Sequence, residues 1–189
     1  MPKANIERCA TGIPGFDALC DGGLVKGSVN AVLGGPGAGK TTFLLQFLHS
    51  GAVDYRENGL FIHFEVDPIE LFKDGQTFGW DFQKLESQNV CKFMQFPPDI
   101  EVRDLKGELA RLVSKYDIRR ICFDPISLFK ATEEKNVRIR QGIYDFCSLL
   151  KRMQVTVLLS TESNLDIDEG NLPLDIRAQY IKFLSDGLI

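Results

Sequence analysis

Gly34-Gly35-Pro36-Gly37-Ala38-Gly39-Lys40-Thr41 is the stretch that decides the fold of this chain. A β-branched apolar run at residues 29–33 precedes it, and residues 41–50 follow with apolar side chains at helical spacing. The stretch matches the pattern G-x-x-x-x-G-K-[ST], in which a glycine-rich turn between a strand and a helix directs backbone N–H groups at phosphate oxygens. The sequence therefore predicts a phosphate-binding loop.

The side chains of this loop predict Mg-ATP as its ligand. Lys40 carries a mobile charge for the β- and γ-phosphates and is also a candidate catalytic residue. Thr41 supplies a hydroxyl ligand for Mg²⁺, and the following helix directs its positive N-terminus at the anion. The predicted nucleotide-binding residues are Gly35, Pro36, Gly37, Ala38, Gly39, Lys40, Thr41 and Thr42, with Thr42 near the α-phosphate.

Apolar runs alternate with helical patterns along the rest of the chain. The runs typical of strands lie at residues 29–33, 60–64, 91–96, 120–123, 155–160 and 183–189, and the helical patterns lie at 41–50, 104–116 and 137–153. This alternation predicts βαβ units, and hence an α/β fold with a mainly parallel, twisted sheet flanked by helices. Ligands of such sheets bind at the carboxyl ends of the strands, where this chain has polar residues.

Two carboxylates follow predicted strands. Asp124 ends an apolar run and is expected to hold Mg²⁺ through its water shell; the alternative is a turn started by Asp124-Pro125. Glu65 is the candidate catalytic residue that orients the attacking water. The alternative is that Glu65 is a solvated carboxylate or a partner of the helix N-cap near Asp67.

Two further polar residues end the run at residues 155–160. Thr161 and Glu162 are candidate sensors of the γ-phosphate, and the alternative is ordinary strand-end capping. Thr161, Glu65 and Asp124 each end a predicted strand and are therefore candidates for one site at the carboxyl edge of the sheet.

Length and composition are those of an ordinary globular protein. The 189 residues predict a single domain over 1–189, with 25% charged residues and a net charge of −4. No apolar run approaches the roughly 20 residues that cross a bilayer, and no signal segment opens the chain, so we expect a cytoplasmic protein. The negative charge makes nucleic-acid binding unexpected.

Five cysteines are present, and none forms a C-x-x-C pair. An odd number without that spacing argues against a disulfide framework or a zinc ribbon. We expect buried, reduced thiols.

The order of the motifs resembles the KaiC-like branch of the RecA-type ATPases. The series opens with Thr11-Gly12-Ile13-Pro14-Gly15-Phe16-Asp17 and Gly22-Gly23-Leu24-Val25-Lys26-Gly27, followed by the phosphate loop and Phe43-Leu44-Leu45-Gln46-Phe47-Leu48. It continues through Phe64-Glu65, Phe78-Gly79-Trp80-Asp81, Asp124, Thr161-Glu162 and Ser185-Asp186-Gly187-Leu188-Ile189. The resemblance covers nearly the whole chain.

This resemblance implies a RecA-like fold, ATP held between neighbouring subunits of a hexameric ring, and slow ATP hydrolysis coupled to conformational or assembly change. Many relatives carry a second glutamate where this chain has Val66, and relatives usually have Ser where it has Pro125. They also continue past the position of Ile189 into strands whose Lys and Arg reach the neighbour's γ-phosphate. We therefore expect truncated C-terminal strands and weak ATPase activity.

Two other functions remain open. One is a nucleotide-gated protein-interaction module with little turnover. The other is a recombinase-like DNA-binding ATPase, against which the net charge of −4 argues. No sequence feature identifies a protein partner.

Overall fold

The computed structural model describes residues 6–64, 67–97, 100, 102–125, 136–162, 181 and 184–189. Its first elements are short: β1 (Arg8–Cys9), α1 (Phe16–Leu19) and β2 (Leu24–Val25). Strands β1 and β2 pair antiparallel in a small sheet of their own. The sequence patterns did not predict these elements, since each has four residues or fewer, too few to repeat a hydrophobic period.

The remaining elements build the main sheet and its helices. They are β3 (Val29–Gly34), α2 (Lys40–Asp54), β4 (Asn58–His63), α3 (Pro68–Thr77), α4 (Phe82–Ser87), β5 (Cys91–Gln95), α5 (Val102–Tyr116), β6 (Ile118–Asp124), α6 (Asn136–Arg152), β7 (Thr156–Glu162) and β8 (Gly187–Leu188). The six strands run in the order β5-β4-β6-β7-β3-β8, and every described pairing is parallel. The predicted α/β fold is confirmed.

Each face of the sheet is buried under helices. On one face, Leu44 and Leu48 of α2 pack with Phe61, Cys122 and Leu158. On the other, residues of α5 and α6 pack with alternate strand residues such as Leu159. Because successive strand residues point to opposite faces, neighbouring positions in β7 belong to different cores.

The predicted strand at 183–189 is wrong in its extent. Ile181 and Leu184 are helical, and the Ser185 N–H donates to the Ile181 carbonyl at 2.9 Å, as in a helical turn. Ile181 is buried in the α5/α6 core and Leu184 packs against it, so their spacing of three follows the helical period. Among the described residues of this segment, only Gly187–Leu188 form a strand.

The opening motif is folded back on itself. Both oxygens of the Asp17 carboxylate accept hydrogen bonds, from the Thr11 N–H (2.8 Å), the Thr11 hydroxyl (2.6 Å) and the Gly12 N–H (2.9 Å). Gly12 has a φ of 72°, and a Cβ there would lie 2.4 Å from the Cβ of Ser50 on α2. The glycine therefore lets this loop dock against the helix that follows the phosphate loop.

Arg120 holds the same loop from inside the molecule. This side chain is 1% exposed, pairs with Glu57 at 2.7 Å, and donates to the carbonyls of Phe47 (2.9 Å) and Ala10 (2.8 Å). The neighbouring Arg119 is exposed and pairs with Asp117. Adjacent arginines of β6 thus have different roles, because they point to opposite faces.

The helices of the described part of the chain include none that is both long and apolar enough to cross a bilayer.

Candidate functional site

The phosphate-binding pattern forms the turn between β3 and α2. Gly37 and Gly39 adopt positive φ angles of 76° and 86°, and Gly39 is the N-cap of α2. A Cβ on Gly34 would lie 2.8 Å from the Cβ of Ala38, so the turn needs glycine where its two sides approach. The four residues from Pro36 to Gly39 are exposed, which leaves the turn open to a ligand.

Lys40 lies at the first position of α2, and its ammonium reaches back over the turn. Its Nζ donates to the carbonyl oxygens of Gly34 and Gly35, each at 2.9 Å. The first turn of α2 contains no acidic residue, so no side chain there neutralises the positive helix end. The ammonium and the helix N-terminus together form a place where an anion is stabilised.

Asp124 meets the phosphate loop although 83 positions separate it from Thr41. The Thr41 hydroxyl donates to Oδ2 of Asp124 at 2.6 Å, and the Ser160 hydroxyl donates to Oδ1. Asp124 is only 8% exposed, and no ion pair of the described residues includes it. Burying a carboxylate charge without a cationic partner costs free energy, and a cation that binds beside the carboxylate offsets that cost.

The donor set here suits magnesium. Thr41 and Asp124 offer a hydroxyl and a carboxylate, the hard oxygen ligands that Mg²⁺ prefers, next to a loop shaped for phosphates. Magnesium keeps several waters and binds through one or two protein groups plus substrate phosphates. The residues present therefore fit Mg²⁺.

Strand order brings Asp124 and the loop together. Strand β7 lies between β3 and β6, with Val32 of β3 opposite Ser160 in register. Ser160 shares the α2-facing side of the sheet with Leu158, two residues earlier. The sequence analysis missed Ser160; its one signal was a small polar residue at the end of an otherwise apolar run.

Thr161 points to the other face of β7, the side of Val157 and Leu159. It is fully buried, and its hydroxyl has no hydrogen-bond partner among the described residues. Glu162 lies opposite Gly34 in register, but its side chain falls outside what the structure describes. The sensor role of both residues stays a prediction.

Glu65 lies outside the described residues. Strand β4 ends at His63, which is opposite Asp124 in register, and Glu65 follows two positions later in the chain. Its role as a general base stays a prediction.

Four of the five cysteine thiols are buried, and all five are free. Burial raises the pKa of Cys91 to about 12 and the pKa of Cys147 to about 11. Burial also raises the pKa values of Cys9 and Cys122. These thiols therefore stay protonated near neutral pH, as inert core residues do.

Comparison with known proteins agrees with this geometry. The sequence model of the family described as "ATPase: KaiC" matches residues 9–189. The circadian clock protein KaiC3 of Synechocystis sp. is 35% identical over 167 residues, which cover 83% of this chain and 33% of that protein. The circadian clock oscillator protein KaiC of Prochlorococcus marinus (strain CCMP1986 / NIES-2087 / MED4) is 33% identical over 169 residues, 85% of this chain and 33% of that one.

A solved structure shows the same fold. A KaiC-like protein from the hyperthermophilic archaeon Pyrococcus horikoshii OT3 superposes with a TM-score of 0.80 and 32% identity, covering 97% of this chain and 79% of that one. This chain spans about a third of the length of the cyanobacterial relatives it matches. The fold, the phosphate loop and the family match together show that the chain belongs to the KaiC family of RecA-fold ATPase domains.

Proposed function

We propose that this domain binds Mg-ATP on the loop between β3 and α2 and hydrolyses it slowly, with hydrolysis coupled to conformational or assembly change. The observation that carries the proposal is the contact of Thr41 with Asp124, which joins a phosphate-binding turn to a buried carboxylate. The two parts are distant in sequence, and a loop that merely connects β3 to α2 requires no such contact.

Phosphate binding is assigned to residues 35–42. The backbone N–H groups of Gly35 and of residues 37–42 face the phosphates, with Thr42 at the α-phosphate. Lys40 exchanges its two loop carbonyls for β- and γ-phosphate oxygens, which are charged and therefore stronger acceptors. Its flexible side chain makes that exchange without moving the backbone.

Metal binding is assigned to Thr41 and Asp124. Thr41 has one hydroxyl proton, which it donates to Asp124, and it keeps its oxygen lone pairs for a metal. Asp124 would hold the ion through its water shell. Bound Mg²⁺ supplies charge neutralisation of the phosphate oxygens during phosphoryl transfer.

Catalysis is assigned to Glu65 and Lys40. Glu65 orients and deprotonates the attacking water as a general base, a role worth typically 10²–10⁴-fold. Lys40 stabilises the negative charge on the transferred phosphoryl oxygens. Thr161 and Glu162 are proposed as sensors that report the γ-phosphate to the rest of the domain.

We further propose that residues 1–189 act as one ATPase domain in the cytoplasm and assemble with copies of themselves, as a hexamer by family resemblance. Cationic groups from a neighbouring subunit are worth 10³–10⁵ in rate in P-loop enzymes. An isolated subunit is therefore expected to bind ATP but to turn it over slowly.

The experiment that tests this proposal measures mass in solution with and without Mg-ATP, beside a phosphate-release assay. The proposal predicts ATP binding, a larger assembly with Mg-ATP, and phosphate release that rises with assembly. ATP binding with a constant mass and no phosphate release would instead favour a nucleotide-gated interaction module. Absence of ATP binding would contradict the proposal.

A further inference from the structure

Ser160 contacts the carboxylate that the metal site uses, yet it lies outside the phosphate loop. The side chain is fully buried at the α2-facing end of β7, and its hydroxyl donates to Oδ1 of Asp124. The other oxygen, Oδ2, accepts from Thr41 at 2.6 Å. Each oxygen of this carboxylate thus has its own hydroxyl donor, and the two donors come from different elements of the fold.

We propose that Ser160 is a positioning residue for magnesium: its hydroxyl fixes the Asp124 carboxylate in the orientation that serves the metal. The inference rests on the proposed function, because it concerns the same Mg-ATP site. It assigns Ser160 a role that acts only through Asp124.

The need for such a residue follows from the freedom of an aspartate side chain. The terminal torsion of Asp is broad, so a single hydrogen bond leaves the carboxylate plane free to turn. A second donor on the other oxygen fixes that plane. Each oxygen has about two lone-pair sites, so one donor on each leaves a site for metal-bound water.

A purely structural role makes a different prediction. If the Ser160 hydroxyl served only to satisfy a buried carboxylate, its loss would lower stability and leave the preference for magnesium unchanged. A partner that orients a metal-binding group instead changes metal affinity, typically by 10–100-fold. Magnesium dependence therefore separates the two roles.

The test compares the parent with Ser160→Ala, using the full chain and a methylanthraniloyl derivative of the non-hydrolysable analogue adenylyl imidodiphosphate. Affinity is measured by fluorescence in EDTA and across a series of MgCl₂ concentrations. The magnesium midpoint is the MgCl₂ concentration at which half of the magnesium-dependent change in affinity has occurred. For Ser160→Ala we expect unchanged affinity in EDTA and a magnesium midpoint raised by about 10-fold or more. Ser160→Thr keeps a hydroxyl and is expected to restore the parent midpoint.

Thr156→Val is the matched control. Thr156 is a buried hydroxyl residue on the same strand and the same face, and its hydroxyl oxygen accepts a hydrogen bond from the Gly27 N–H at 3.0 Å. It lies four positions before Ser160 along the strand, a distance of about 13 Å. We expect a loss of stability with an unchanged magnesium midpoint.

The outcomes are distinguishable. If a folded Ser160→Ala protein has the parent's magnesium midpoint, the inference is overturned and the proposed function stands. The same conclusion follows if Thr156→Val shifts the magnesium midpoint as much as Ser160→Ala does. A parent that binds the analogue in neither condition overturns the proposed function, and the inference with it. If Ser160→Ala does not fold, Ser160→Cys replaces the hydroxyl by a weak donor of similar size, and the same criteria apply to it.

Discussion

Thr41 and Asp124 are 83 positions apart in the sequence, and the hydroxyl of one lies 2.6 Å from Oδ2 of the other. This hydrogen bond links the helix that follows the phosphate loop to the end of β6. A change at Asp124 is therefore expected to act on the metal and to spare the contacts of the loop with phosphate.

Asp124→Asn should raise the magnesium midpoint for nucleotide binding by about 10-fold or more, with little change in EDTA. The amide is neutral, and the two hydroxyl donors then face one carbonyl oxygen instead of two carboxylate oxygens. Asp117→Asn is a control at the other end of β6, where the carboxylate is exposed and pairs with Arg119. A normal magnesium titration in Asp124→Asn would make Asp124 a structural turn residue.

Glu65→Gln should keep ATP affinity and lose most of the hydrolysis that the parent shows. Glutamine is nearly isosteric but a poor base, and general-base steps are worth typically 10²–10⁴-fold. The measurement is single-turnover phosphate release, from a parent whose rate exceeds the buffer background. Hydrolysis at the parent rate would remove Glu65 from the mechanism and make Glu162 the next candidate.

Arg120→Leu should destabilise the fold by about 3–5 kcal/mol, because it leaves Glu57 and the carbonyls of Phe47 and Ala10 without their partner. Urea unfolding followed by circular dichroism measures this loss. Arg119→Leu is a matched control on the next position, where an exposed ion pair contributes at most about 1 kcal/mol. Equal losses in the two variants would contradict the role assigned to Arg120.

Cys20 should be the only thiol that reacts quickly with Ellman's reagent in the native protein. It is half-buried, whereas Cys9, Cys91, Cys122 and Cys147 are buried. Burial raises the pKa values of those four, so they present little thiolate, the reactive form. Denaturation should raise the number of reactive thiols to five. Rapid reaction of a second native thiol would contradict the described core.

The sequence predicted those parts of the fold that depend on local pattern. The phosphate loop carries its own signature, and the long helices and inner strands repeat apolar residues at their own periods. The strand predicted at 183–189 began too early, because Ile181 and Leu184 follow the helical period and pack against α5 and α6. Short elements such as β1 and β2 lack enough residues to show any period.

The parts that the sequence did not predict depend on strand order. Ser160 reaches Asp124 only because β7 lies between β3 and β6, and no local pattern encodes that order. The burial of Arg120 likewise depends on three partners distant in sequence: Ala10, Phe47 and Glu57. Asp124, by contrast, was predicted as a candidate because it ends an apolar run in a chain that also carries the phosphate-binding pattern.

The most direct test of the central claim, that residues 35–42 bind Mg-ATP, is an isothermal titration of ATP with magnesium into the parent and into Lys40→Ala. Lys84→Ala, an exposed lysine on α4, is the matched control. We predict saturable binding in the parent and the control, and a loss of at least about 30-fold in Lys40→Ala, the equivalent of about 2 kcal/mol for a charged contact. Unaltered ATP affinity in a folded Lys40→Ala protein would contradict the account.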